Sequence, residues 1–333
     1  MSQAPEGLER RTERLLRWYP KAWRSRYGEE FAELLIAEIC ERPRSWPRSA
    51  DVARSGLIAR LSNAGLTRHE VEGGDQVRAS LASLGCALGV FLAFGVAMWS
   101  QLTIGWQWSE PDTGTTYAAM MLMSGTMLLF GILGLLAAVP IAGTVFARLT
   151  RHRSQGLIRP SLLFVAGASL LIIGSLHFGN GWPGTGGHPW AQQGLVPGGV
   201  AAFTWASTLS VTSYWAHPGA LALFPIAELA WMAVSPVAMI CLVVGAAKTV
   251  RRVDLPPRVL RYEACLARVV AFGMIAFLIG SCSWVIDGGP GPKNLFHTGA
   301  IDIAGLVVMG GALAVAQRAA QRARCGGLAF VRR

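Results

Sequence analysis

Six stretches of the chain, each 18–31 residues long, carry at most one charged residue apiece, and no other feature limits the possible folds as strongly. They cover residues 79–104, 117–147, 160–178, 221–247, 266–286 and 299–316. At ~1.5 Å of rise per residue, each is long enough to cross a hydrocarbon layer of roughly 30 Å, with tilt for the longer ones. Soluble domains carry about 25% charged residues, against 15% here. The expected fold class is all-α: a polytopic membrane helix bundle of about six transmembrane helices over 79–316. A small N-terminal cytosolic helical head and linker (1–78) precedes it, and a basic cytosolic tail (317–333) follows. Pro140, near one end of the second run, predicts a kink or an early stop.

The loops set the orientation. Residues 148–159 contain four arginines and no acid, 248–268 contain six basic residues against Asp254 and Glu263, and five arginines follow residue 316. The intervening loops are almost free of positive charge, with Lys293 their one base. Basic loops mark the cytosolic side of a membrane protein, so both termini are expected in the cytosol and the bundle in the plasma membrane. Eight tryptophans (Trp99, Trp106, Trp108, Trp182, Trp190, Trp205, Trp215 and Trp284) fall at the opposite ends, where a belt of indoles at the headgroups is expected. The long outer loop ends in an uncharged, Ser/Thr-rich stretch, 200–216, that reads as interfacial or re-entrant.

Charge placement also bears on function. Residues 1–78 hold 14 of the 30 Lys+Arg and 12 of the 19 Asp+Glu, so the head is nearly neutral and the net charge of +11 comes from the basic loops. A nucleic-acid partner is not expected, since that would need basic residues on a folded soluble face. The polar start gives no secretory signal peptide. The six cysteines form no C-x-x-C pair, so neither a disulfide framework nor a zinc knuckle is expected.

In the head, residues 8–19 place Leu8, Leu15, Leu16 and Tyr19 near one helix face. Pro20 fits the first position of a new helix, along which Trp23, Tyr27, Phe31, Leu34, Leu35 and Ile39 recur every three or four residues. Ser49-Ala50-Asp51 reads as the start of a third helix, and 63–76 as a linker. Trp18, Tyr19, Trp23, Tyr27 and Phe31 are the candidate partner-binding residues, with a core role as the alternative.

The string RLLRWYPKAWRSRYGEEFAELL, followed by DVARSGLIARL and several spans, resembles uncharacterised actinobacterial multi-pass membrane proteins. Their heads are similar to HAAS-type, permease-prefix-like helical domains, often encoded beside transcriptional regulators or sigma factors. The resemblance is strongest over residues 13–62 and implies a membrane signalling or regulatory role. It implies no catalytic or ligand residue.

Ionisable residues within spans are functional candidates by default. Glu228 is placed about two turns inside the fourth span and Asp302 at the outer start of the sixth. His177, Asp287 and His297 lie at outer ends, so an outer layer of carboxylates and imidazoles is a candidate metal or proton site. No H-E-x-x-H, phosphate-binding loop or nucleophile motif occurs. The expected protein is therefore a non-enzymatic regulator without catalytic residues, cofactor or metal. Its head would bind a cytosolic regulatory protein, its spans would meet the lipid bilayer, and a homo-oligomer is possible. The alternative is a transporter or permease subunit using Glu228 and Asp302.

Overall fold

The computed structural model describes residues 4–42, 45–64, 66, 73–103, 114–152, 155–177, 226–288 and 299–329. Among the described residues there are nine helices and no strand. The chain divides into two compact units, Met1–Glu72 and Gly73–Arg333. The stretch 200–216, expected to be interfacial or re-entrant, lies outside the described residues.

The first unit contains α1 (Ala4–Leu16), α2 (Lys21–Glu41) and α3 (Trp46–Asn63). Pro20 has no N–H with which to extend α1. It stands just outside α2 as its N-cap, in extended backbone at φ −61° and ψ 152°. Ser45 caps α3 by accepting the Arg48 N–H at 3.4 Å, and a proline follows in the first turn. The third helix thus starts ahead of Ser49, because the Ser-x-Pro start signal overrides the later Asp51. Leu15, Tyr19, Leu35, Ile39 and Val52 form the core, with Trp23 and Phe31 packed against it. Gly56 lets α3 approach the end of α1. A Cβ there would lie 2.6 Å from Cβ of Trp18, too close for any side chain.

The second unit contains α4 (Gly73–Thr103), α5 (Gly114–His152), α6 (Gln155–His177), α7 (Ile226–Arg252), α8 (Pro257–Gly288) and α9 (Gly299–Ala329). All six are long and apolar enough to cross a membrane. Several run past the apolar stretches, since polar residues can continue a helix. α9 extends through AQRAAQRARC, a segment rich in strong helix formers, so much of the expected tail is helical.

Helix α4 is central and packs against α9, α7 and α8, while α6 packs on α7 and α5 on α8. Chain neighbours α4 and α5, and α5 and α6, touch only slightly. Burial follows an alternating three- and four-residue spacing. On α8 it runs Leu260, Glu263, Ala267, Val270, Met274, Phe277, Ser281 and Trp284; on α9, Asp302, Gly305, Met309, Ala312, Ala316, Ala319 and Ala323. This is the spacing of left-handed knobs-into-holes packing. The middle is filled by Phe91, Met123, Met274, Phe277 and Met309, all fully buried. The Phe277 ring meets Phe91 edge-on at 5.6 Å.

Three prolines lie inside these helices, and each leaves the carbonyl four residues earlier without its helical N–H. In an apolar medium such a group needs another donor. For Pro140 the orphan is the Leu136 carbonyl, which accepts from the Tyr262 hydroxyl at 3.4 Å. For Pro160 it is that of Gly156, which accepts from Arg252 Nη1 at 2.7 Å. For Pro236 it is that of Met232, which accepts from Ser235 Oγ at 3.4 Å.

Glycines seat the α6–α7 pair. A Cβ on Gly167 would lie 2.6 Å from the Leu242 nitrogen, and one on Gly245 would lie 2.5 Å from that of Phe164. The two backbones therefore touch. By contrast, Gly85, Gly131, Gly134, Gly310 and Gly311 face open space.

Candidate functional site at the basic end of the bundle

The basic ends of the helices converge on one apolar cluster. Val77 of α4, Leu157 of α6, Leu260 and Ala264 of α8 and Ala323 of α9 surround Val253 and Leu255 of the α7–α8 turn. Burying Val253 and Leu255 pins this turn and presents Asp254, between them, to solvent. Its carboxylate is 69% exposed and accepts from two arginines: Arg78 Nη1 of α4 at 3.1 Å and Arg148 Nη2 of α5 at 3.0 Å. Arg78 also donates to the Val253 carbonyl at 3.0 Å and pairs with Asp75 one turn back. Only 17% of the Arg78 side chain is exposed. A single acid thus ties together three segments distant in the chain. The sequence counts Asp254 merely as one acid diluting a basic loop.

Just inside this clasp, Glu263 is buried within α8. It occupies a seam position otherwise held by apolar or small residues, and its Oε1 has no hydrogen-bond partner among the described residues. The sequence reading assigns Glu263 to the loop, because the apolar run begins only at residue 266. The helical register of Leu260, Ala264 and Ala267 was the signal that would have placed it inside.

At the other end, Asp302 is buried in the first turn of α9, where the helix dipole favours an acid. Asp287 is exposed in the last turn of α8, and His177 is exposed at the end of α6. Helix α6 packs on α7 and only slightly on α5, so His177 is on a different side of the bundle from the α8–α9 pair. Glu228 stands in the first described turn of α7; its side chain and all of His297 lie outside the described residues. Among the described residues no three His, Cys, Asp or Glu side chains group as metal ligands. The six cysteines are free. The tryptophan belt is corrected at both positions that are described. Trp99 and Trp284 are buried in the bundle, and Trp99 Nε1 donates to Ser124 Oγ at 2.9 Å. An indole whose N–H finds a partner inside need not seek the headgroups.

In the head the five candidate aromatics separate. Tyr19 is buried and stacks on Trp23 at 4.0 Å, and Phe31 meets both rings edge-on. These three form the inner wall, and burial raises the Tyr19 hydroxyl above its ordinary pKa, against a lowering hydrogen bond with Ser55. Trp18 and Tyr27 remain exposed. Along α3, Leu57, Ile58 and Leu61 are also exposed on one helix face. Arg60 ties α3 to the end of α1 by donating to the carbonyls of Trp18 and Arg17, both at 2.6 Å. Arg48 is buried and donates from Nη1 to the carbonyls of Glu38 and Arg42, closing the end of α2.

No family model, curated protein or solved structure matches the chain.

Proposed function

We propose that this is a non-enzymatic, multi-pass membrane regulator whose helical head, in the cytosol, docks a protein partner through Leu57, Ile58 and Leu61 of α3. The observation that carries the reading is the apolar face of Leu57, Ile58 and Leu61 along α3. It remains exposed although the head has its own separate core, and such patches mark interaction sites. The spans act as anchor and sensor. The plug of Phe91, Met123, Met274, Phe277 and Met309 supports this role over transport through Glu228 and Asp302. The resemblance of residues 13–62 to permease-prefix-like heads points the same way.

A photo-crosslinking residue at Leu57 of the full-length chain in native membranes tests the reading. The expected product is one discrete protein adduct that disappears with Leu61→Glu while the chain still melts cooperatively. Labelling only lipid, or an adduct insensitive to Leu61→Glu, refutes it. The exposed thiols Cys40 and Cys325 test the orientation: both should react with an impermeant maleimide only after cells are opened.

A further inference from the structure

Beside Pro140 a groove of about 410 Å³ opens between α5 and the start of α8. It is lined by Leu136, Val139, Pro140, Arg258, Val259 and Tyr262. Tyr262 is fixed as one wall by its hydrogen bond to the Leu136 carbonyl. Leu136, Val139 and Tyr262 are all exposed, so the groove lies on the outer face of the bundle, where an apolar surface meets lipid.

Arg258 is the groove's one charge. Among the described residues it has no ion pair, and the nearest acid in the chain, Asp254, is held by Arg78 and Arg148. Arg258 also sits in the first turn of α8, where the helix dipole is positive and a cation is disfavoured unless an anion joins it. A soluble anion leaves the apolar walls unused, and a neutral apolar molecule leaves Arg258 uncompensated. A molecule with an anionic phosphate at one end and an aliphatic chain at the other satisfies both.

We propose that this groove is a specific site for one anionic glycerophospholipid, its phosphodiester on Arg258 and an acyl chain along Leu136, Val139 and Val259. The proposal is independent of the head and its partner. A zwitterionic lipid fits less well, because its own ammonium competes for the phosphate.

Full-length protein, delipidated in mild detergent, is titrated with phosphatidylglycerol or phosphatidylcholine and observed intact by native mass spectrometry. One phosphatidylglycerol should bind at about five- to tenfold lower concentration than phosphatidylcholine. Arg258→Ala should abolish that preference and Arg258→Lys should retain part of it. Val259→Trp, which fills the groove and keeps the charge, should abolish binding of the single lipid. Equal binding of the two lipids, or a preference unchanged by both Arg258→Ala and Val259→Trp, overturns the proposal. Thermal melting of each variant identifies any that has failed to fold. If Arg258→Ala has, Val259→Trp and Arg258→Lys decide the matter.

Discussion

The Asp254 clasp allows a quantitative test, because its two arginines are held in different surroundings. Asp254→Asn removes the charge from two pairs whose acid is 69% exposed. Exposed pairs contribute about 0.2–1 kcal/mol each, so the loss should be about 1 kcal/mol. Arg148→Ala removes only one pair, from a side chain that is itself 46% exposed, and should cost about 0.5 kcal/mol or less. Arg78→Ala differs in kind. It also removes the bond to the Val253 carbonyl and the pairing with Asp75 from a side chain largely out of water. A hydrogen bond to a charged donor contributes about 1.5–3 kcal/mol, so Arg78→Ala should cost about 3 kcal/mol in all. The assay is thermal unfolding of the full chain in detergent, read by a thiol-reactive dye as the half-buried Cys86, Cys241 and Cys282 open. At ~2–4 °C per kcal/mol, Arg78→Ala should lower Tm by about 6–12 °C and Asp254→Asn by about 2–4 °C. At about 1 M salt, where the Debye length is ~3 Å, the Asp254→Asn deficit should vanish and most of the Arg78→Ala deficit should remain. Equal losses for Arg78→Ala and Arg148→Ala, or a salt response shared by all three, would refute the reasoning.

Glu263→Leu should stabilise the bundle by about 1–3 kcal/mol, since it removes a buried oxygen lacking a partner; a lower Tm in the same melt would show that Glu263 is satisfied after all. Gly167→Val should cost more than the ~1–3 kcal/mol typical of overpacking, because its neighbour is the Leu242 backbone, whereas Gly131→Val faces open space and should be near neutral. Arg48→Ala should destabilise the head by about 2–3 kcal/mol through the lost carbonyl bonds at the end of α2, and limited proteolysis of the full chain would reveal this as faster cleavage within residues 1–72. The raised Tyr19 pKa makes its neutral form the one the fold favours. That stability is fully present below the ordinary value of 10.0 and is lost as pH rises through the folded value. The head should therefore open in alkali, seen as tyrosinate absorbance rising with proteolysis, and Tyr19→Phe should suppress the effect.

The six spans were legible because the bilayer demands long uncharged helices, and that demand is written directly into composition. The interior was less so. Glu263 lies in α8 ahead of the run that hydropathy marked as membrane, since apolar averages end where charges begin but helices do not. Nor does a glycine's place in the sequence tell what it faces: Gly89, Gly273, Gly280 and Gly305 face close neighbours, whereas Gly85, Gly131, Gly134, Gly310 and Gly311 do not. A small residue permits close approach, but only the three-dimensional pairing of α6 with α7 shows that Gly167 and Gly245 use it. The head aromatics were visible as a helical stripe, yet spacing alone could not separate buried Tyr19 from exposed Trp18 one residue away. That difference depends on where α3 crosses, which Gly56 decides.

The polar groups of the second unit follow a consistent division that bears on its role. One proline-freed carbonyl, that of Met232, is met within its own helix, by Ser235. Toward the basic end, the other two are met across helices, by Tyr262 of α8 and Arg252 of α7. Asp254 adds links to α4 and α5 at that same end. At the basic end specific cross-links thus join α4, α5, α6, α7 and α8, whereas the centre is filled by apolar packing. A bundle built this way is most readily altered at its basic end, where breaking one exposed ion pair of Asp254 removes a link to α4 or α5 without opening the Phe/Met core. If the spans relay a signal, that turn and its clasp are where the energetic threshold is low enough, at about 1 kcal/mol per exposed pair, for a bound partner or lipid to shift it. Disulfide-locking the turn to α4 should then abolish signalling while leaving Tm unchanged or higher, and unimpaired signalling in the locked protein would exclude the turn as the moving part.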